Sequence, residues 1–332
     1  MTNSGTTTTA VTPTSQRRRT SAVIGDIYRR TGMAAVLIIL IITMSVTAPN
    51  FLTAANLLDV ASQTSVVAIL GAGATFVILT GGIDLSAGSA LGVGAMVAMV
   101  LASAGAPGVV CVLACIAACT AAGLLNGFFI AYWGLPSFIV TLAALTYLRG
   151  LVYVGTNGTT VFLPTLDFAW LGQGTVLGVP VPVIIMVLVF AAGWLIINRT
   201  VFGRHVLSVG GNSAAASLAG ISVRKTLLWV YIIAGICVGI GAVISAARLQ
   251  SASPTIGTGY ELNAIAAVVL GGTSLMGGRG SILGTLVGAL IVGVLANGMT
   301  LMNVPSFYQL IVQGAVIIAA VGIDKLSTRR RR

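Results

Sequence analysis

Ten apolar runs, near residues 32–48, 60–80, 85–104, 108–132, 136–155, 180–198, 226–247, 262–278, 281–300 and 305–323, leave this chain few ways to fold. A helix needs about 20 apolar residues to cross the hydrocarbon core of a bilayer, and these runs are close to that length. The connections between them are mostly short and rich in Gly, Pro and small polar residues. Only 7% of the residues are charged and 57% are hydrophobic, whereas a soluble domain carries roughly 25% charged residues. The expected class is therefore all-α: a polytopic membrane protein of about ten transmembrane helices, some of them broken or re-entrant at glycines. The 42 glycines suit this class. In lipid, small residues let helix backbones approach, and that contact replaces the hydrophobic force that drives packing in water.

The formal net charge of +11 does not point to nucleic acid. Arg17, Arg18, Arg19, Arg29 and Arg30 precede the first run, and Lys325 and Arg329, Arg330, Arg331 and Arg332 follow the last. Ten of the 17 basic residues thus sit where they anchor topology beside an anionic leaflet. Basic termini are retained in the cytoplasm, so the number of spans is even. Alternation then places the loop 199–225 inside, with Arg199, Arg204, Arg224 and Lys225 and no acid. It places 156–178 outside, where Asp167 is the single charge. That outer segment reads either as a re-entrant or surface connector with Trp170 at headgroup level, or as a docking surface or lid. Three stretches follow: a disordered, basic N-terminal segment at 1–30, a membrane domain at 31–324 and a basic tail at 325–332. The first apolar run is long for a signal sequence and no small-x-small cleavage site leads into a soluble mature domain, so it reads as a retained helix.

An internal repeat links two of the runs. Residues 78–92 read ILTGGIDLSAGSALG, and 269–284 read VLGGTSLMGGRGSILG. Each closes an apolar run with a double glycine, turns through small polar residues and restarts. Broken helices in corresponding places of two halves point to a transport pathway, since irregular backbone at membrane depth lines a cavity or is buried in protein. The candidates for that pathway are Gly81, Gly82, Asp84, Ser86, Asn126, Arg149, Gly271, Gly272 and Thr273. Blander roles compete: Asp84 caps the next helix at Ser86, Arg149 snorkels to the surface, and Glu261 complements a helix N-terminus.

Chemistry motifs are otherwise lacking. His205 is the only histidine, so a histidine-based metal site is excluded. Cys111, Cys115 and Cys119 share a helix face but are embedded in Ala and Val, which reads as packing. Nothing matches G-x-x-x-x-G-K-[ST], so any ATP and magnesium belong to a partner chain. Within the basic loop, Asn212 and Ser213 can cap a short Ala-rich helix from Ala214 to Ala219, which Gly220 stops. A short helix held out into the cytoplasm is an element offered to a soluble partner.

Four motifs carry a family resemblance: LTGGIDLS at 79–86, PSFIVTLAALTYLRG at 136–150, GRHVLSVGGNSAAASLAGI at 203–221 and TGYELNAIAAVVLGGTSLMGGRGS at 258–281. From about residue 31 to 324 the chain resembles the membrane permease subunits of bacterial ATP-binding-cassette importers for simple sugars, the ribose permeases above all. The resemblance implies ten helices, a permease dimer, an extracytoplasmic sugar-binding protein and two cassette ATPases. The ATPases would dock on 203–221, with Gly203, Arg204, Gly210, Gly211, Asn212, Ala214, Ala215, Leu218, Ala219 and Gly220 forming the coupling site. Relatives for other monosaccharides or for autoinducer-2 carry similar motifs.

Two other classes compete. An ion-coupled carrier explains the spans and the repeat but needs no cytoplasmic helix. A membrane-embedded enzyme needs a catalytic cluster that the chain does not supply. Topology gives the first test. A cysteine at Gln173 should react with an impermeant reagent added outside, and one at Ser213 should be spared; the reverse pattern overturns the even-numbered arrangement.

Overall fold

The computed structural model of the protein describes residues 33–329, so the expectation of disorder at 1–30 lies outside the described residues. Each apolar run holds a helix. In chain order these are α1 (Met33–Thr47), α2 (Ala54–Leu79), α3 (Ala87–Ser103), α4 (Gly108–Tyr132), α5 (Ser137–Gly155), α7 (Val181–Arg199), α10 (Val223–Leu249), α11 (Tyr260–Leu270), α12 (Ile282–Leu301) and α13 (Ser306–Arg329). Three further helices lie in connections: α6 (Trp170–Gln173), α8 (Val201–Gly211) and α9 (Ser213–Leu218). The helical class holds, with four two-residue strands added: β1 (Val161–Phe162), β2 (Thr175–Val176), β3 (Val179–Pro180) and β4 (Ser251–Ala252).

Among the described residues six helices, α2, α4, α5, α7, α10 and α12, are long and apolar enough to cross a membrane. Three apolar helices, α1, α3 and α11, are shorter. The largest departure from the sequence boundaries is α11, expected to run over 262–278 but ending at Leu270. Its 11 residues span roughly 16 Å at the usual helical rise, about half a bilayer core. The cause is local, because the glycine pair that follows turns the chain at once. At the other extreme, α13 continues through Arg329 and absorbs most of the expected separate tail.

The centre of the bundle is α10, packed along α4 on one side and α2 on the other, with α3 against both α4 and α10. Glycines set how close these helices come. A β-carbon on Gly123 would collide with the Tyr231 carbonyl oxygen and lie 3.1 Å from the Gly235 Cα. One on Gly73 would lie 2.9 Å from the Cys237 Cβ. α12 packs on α2 and α11 to complete the second half. Polar pairs tie α2 to α12: the Thr75 and Thr285 hydroxyls are 2.7 Å apart, and Asn56 and Asn297 exchange amide hydrogen bonds of 3.1 and 2.9 Å. Outward faces are apolar, with Ile39, Val109, Leu188 and Leu310 all exposed, as lipid contact requires.

The two ends of the bundle differ. At one end 156–180 forms a cap, where β1 pairs antiparallel with β4 and β2 with β3. The Gln250 amide donates to the Pro164 carbonyl (3.0 Å) and the Gln173 amide to the Arg248 carbonyl (3.1 Å), closing that cap over the end of α10. At the opposite end of α10 lie α8 and α9. Backbone contact between α4 and α10 gives a direct test. Gly123→Val should lower the thermal unfolding midpoint of the purified chain in detergent, at a cost of about 1–3 kcal/mol from overpacking. Gly150→Ala, where an added β-carbon meets nothing within 4 Å, should leave the midpoint unchanged.

Candidate functional site

The repeat is a repeat of backbone conformation. After α2, the N–H of Gly81 donates to the Ile78 carbonyl (2.9 Å) and that of Gly82 to the Val77 carbonyl (3.1 Å). After α11, the N–H of Gly272 donates to the Val269 carbonyl (2.9 Å) and that of Thr273 to the Val268 carbonyl (3.2 Å). Both are the same helix-closing motif, which satisfies the last carbonyls and requires a left-handed residue. Gly81 at φ 79° and Gly272 at φ 78° supply it. The two glycines of each pair therefore differ in role. Gly82 and Gly271 have ordinary φ and are needed for space: a β-carbon on Gly82 would lie 2.9 Å from the Tyr231 hydroxyl, and one on Gly271 would lie 2.5 Å from the Gly284 carbonyl carbon.

Beyond the closing motif the turns diverge. The first continues in an extended path to α3, held by α5: the Ile83 N–H donates to Ser137 Oγ (3.2 Å) and Thr141 Oγ1 donates to the Ile83 carbonyl (3.1 Å). Three expected pathway residues then meet in a buried chain. The Ser86 N–H and hydroxyl both donate to Asp84 Oδ1 (2.8 and 2.6 Å), and Asn126 Nδ2 donates to Ser86 Oγ (2.9 Å). Asp84 thus fastens the start of α3 to α4 by way of Ser86. Tyr231 and Ser137, absent from the sequence-based set, border this cluster, and the Tyr231 hydroxyl is buried with no partner among the described residues. The second turn instead closes on itself, with the Ser274 N–H on the Arg279 carbonyl (2.9 Å) and the Ser281 N–H on Thr273 Oγ1 (3.3 Å).

Arg149 stands apart from these turns and does not snorkel. Its half-buried guanidinium donates from Nη1 to the carbonyls of Pro254 (2.9 Å) and Ile256 (2.8 Å), in the loop between β4 and α11. Glu261, in the first turn of α11, accepts from the Gly259 N–H (3.2 Å). Both charges are engaged with the backbone of one loop. Cys111, Cys115, Cys119 and Cys237 are free and buried in packing positions.

The basic loop is more ordered than a loop with one short helix. α8 was not expected; it is amphipathic, turning Gly203, Val206 and Val209 inward and Arg204 and Ser208 outward. Thr200 caps it, its hydroxyl accepting from the Gly203 N–H (3.2 Å). Asn212 then ends α8 and caps α9, its side chain accepting from the Ala215 N–H (3.0 Å). Gly220, at φ 83°, follows the end of α9. Ala214, Ala215 and Ala219 are exposed, whereas Ala216 faces inward and is buried. Leu218 is 92% exposed. Gly210 faces the bundle and not a partner: a β-carbon there would strike the Leu79 carbonyl oxygen. Gly277 and Gly278, missing from the sequence-based set, are the residues of the second turn that meet α8. The double glycine of MGGRG was the signal for them.

A family model described as the permease component of a branched-chain amino acid transport system matches residues 56–321. The chain is 48% identical over 292 residues to the ribose import permease protein of Escherichia coli (strain K12), covering 87% of this chain and 91% of that protein. It is 44% identical over 291 residues to the ribose import permease protein of Bacillus subtilis (strain 168), covering 87% and 90%. It is 38% identical over 293 residues to the D-allose transport system permease protein of E. coli (strain K12), covering 88% and 90%. No solved structure matches the chain. The paired turns lead to a prediction: Gly81→Val and Gly272→Val together should sharply reduce uptake while the protein still inserts. Each places a β-branched residue in the left-handed region, at about 1–2 kcal/mol or more. Unchanged uptake would make these turns mere connectors.

Proposed function

This chain belongs to the family of branched-chain amino acid transport system permease components, and on that premise we propose that it is the membrane permease subunit of an ATP-driven importer for ribose. Ribose is favoured among sugars because the ribose permeases share more identity with the chain, 44–48%, than the allose permease does at 38%. The subunit itself hydrolyses nothing. ATP and magnesium belong to cassette ATPases docked on α9 at the cytoplasmic end, where both termini also lie. An extracytoplasmic binding protein delivers the sugar to the opposite end, beside the 156–180 cap. Two copies of the chain in the cytoplasmic membrane enclose the pathway.

The observation that carries the ATP-driven part of this reading is Leu218. A large apolar side chain that is 92% exposed at the end of a bundle, on a helix of its own with a capped start, is an anchor waiting for a groove. Ala214, Ala215 and Ala219 around it are small enough for a partner to close over them. The ion-coupled alternative finds less support. Glu261 and Arg149 are occupied by loop backbone, and Asp84 is held by Ser86, so these charges form no chain of free acids among the described residues to carry an ion.

Substrate is tested by uptake of labelled ribose in cells with and without the gene, with unlabelled allose, xylose and arabinose as competitors. Ribose uptake should be lost with the gene and resist the other sugars. Drive is tested by Leu218→Asp. A carboxylate forced into an apolar groove loses the anchor and adds a desolvation cost of several kcal/mol. The variant should insert normally, fail to co-purify with the ATPase and transport nothing. Wild-type association and uptake by that variant would return weight to an ion-coupled carrier.

A further inference from the structure

The two broken-helix turns and the cytoplasmic unit meet at one point, through backbone alone. The Gly278 N–H donates to the Leu79 carbonyl (2.9 Å), so the turn after α11 is hydrogen-bonded to the last residue of α2. Into this contact the end of α8 is pressed. A β-carbon on Gly210 would strike the Leu79 carbonyl oxygen and lie 2.6 Å from the Gly278 nitrogen. One on Gly277 would lie 2.8 Å from both the Gly210 carbonyl oxygen and the Gly81 nitrogen. One on Gly278 would lie 2.7 Å from the Gly211 Cα. Three segments far apart in sequence, 79–81, 210–211 and 277–278, therefore touch main chain to main chain with no side chain between them.

Contacts of this kind transmit displacement. Two side chains in contact absorb a shift by changing rotamer, whereas packed main chains yield only if a segment moves bodily. α8 itself is well seated: Thr200 caps its start, and Val206 and Val209 are buried against the bundle. At its end Asn212 is shared, terminating α8 and capping α9. No flexible linker separates the exposed helix from the glycine junction.

We propose that Gly210 is a positioning residue that ties α9 to both broken-helix turns, so that displacement of α9 moves the two turns as one body. This rests on the reading of α9 as the ATPase docking element. It adds that one lever, acting through Gly210, drives the corresponding turn in each half of the repeat, where separate contacts to each half would have been the alternative.

The test compares Gly210→Ala with Ser208→Ala, on the exposed face of the same helix, in the complete complex of permease, ATPase and binding protein. Gly210→Ala should still co-purify with the ATPase, while uptake falls by roughly tenfold, within the range that couplings through packed segments span. Ser208→Ala should transport as wild type. Wild-type uptake by Gly210→Ala overturns the proposal and leaves the docking role of α9 untouched; a wild-type chain that holds no ATPase overturns the docking role instead. Should Gly210→Ala fail to assemble, the near-native complex decides. Spin labels on Ser217→Cys in α9 and Met276→Cys in the second turn, both exposed positions, should keep their separation between ATP-free and ATP-bound complexes. A change larger than the label's own width shows that the turn does not follow α9, and the proposal fails.

Discussion

Close contact between the backbones of α4, α10 and α2 is the interaction on which the rest of the molecule depends. Lipid offers no hydrophobic force between helices, so association rests on how many atoms come within van der Waals distance. Gly123 lets α4 reach the main chain of α10 near Tyr231 and Gly235, and Gly73 lets α2 reach it near Ala234 and Cys237. α10 is thereby fixed between two neighbours along much of its length. Its start follows α9, and its end leads into the loop that pairs β4 with β1. The positions of the α8–α9 unit and of the opposite cap are both inherited from this one helix.

Broken helices expose polar backbone, and the structure satisfies it locally in two different ways. Both breaks begin with the same closing motif at Gly81 and Gly272. The first is then stitched to α5 and α4 by Ser137, Thr141, Ser86 and Asn126, while the second folds back on its own carbonyls between Ser274 and Arg279 and reaches outside itself through the Gly278 N–H on the Leu79 carbonyl. Asp84 is best understood within that stitching: its carboxylate holds the residue from which α3 starts.

Much of this was legible in the sequence, because apolar periodicity and caps are local. Every apolar run holds a helix, and the Asn212 cap, the short helix after it and the left-handed Gly220 were readable from nine consecutive residues. What escaped depends on partners distant in the chain. α8 was missed since its inward residues, Val206 and Val209, are too few to stand out amid glycine, and its burial is supplied by other helices. Arg149 suggested a snorkelling side chain until the carbonyls of Pro254 and Ile256, about a hundred residues later, appeared beside it. The second turn drew attention to Gly271 and Gly272, which close the helix, and not to Gly277 and Gly278, which touch α8.

The pairing of α2 with α12 has a consequence for how the chain is made. Thr75 waits for a partner 210 residues further along, and Asn56 for one 241 residues further along. At ordinary bacterial rates of synthesis the gap between Thr75 and its partner lasts roughly 10–40 s. During that interval α2 must reside in lipid, or beside whatever inserts it, with its partner helix not yet made. Thr75 already donates to the Gly71 carbonyl (2.8 Å) and Asn56 to the Phe51 carbonyl (2.8 Å), bonds within its own segment that need nothing downstream. The long helix most fully buried in the finished bundle thus satisfies these polar groups by itself until its last partner is made.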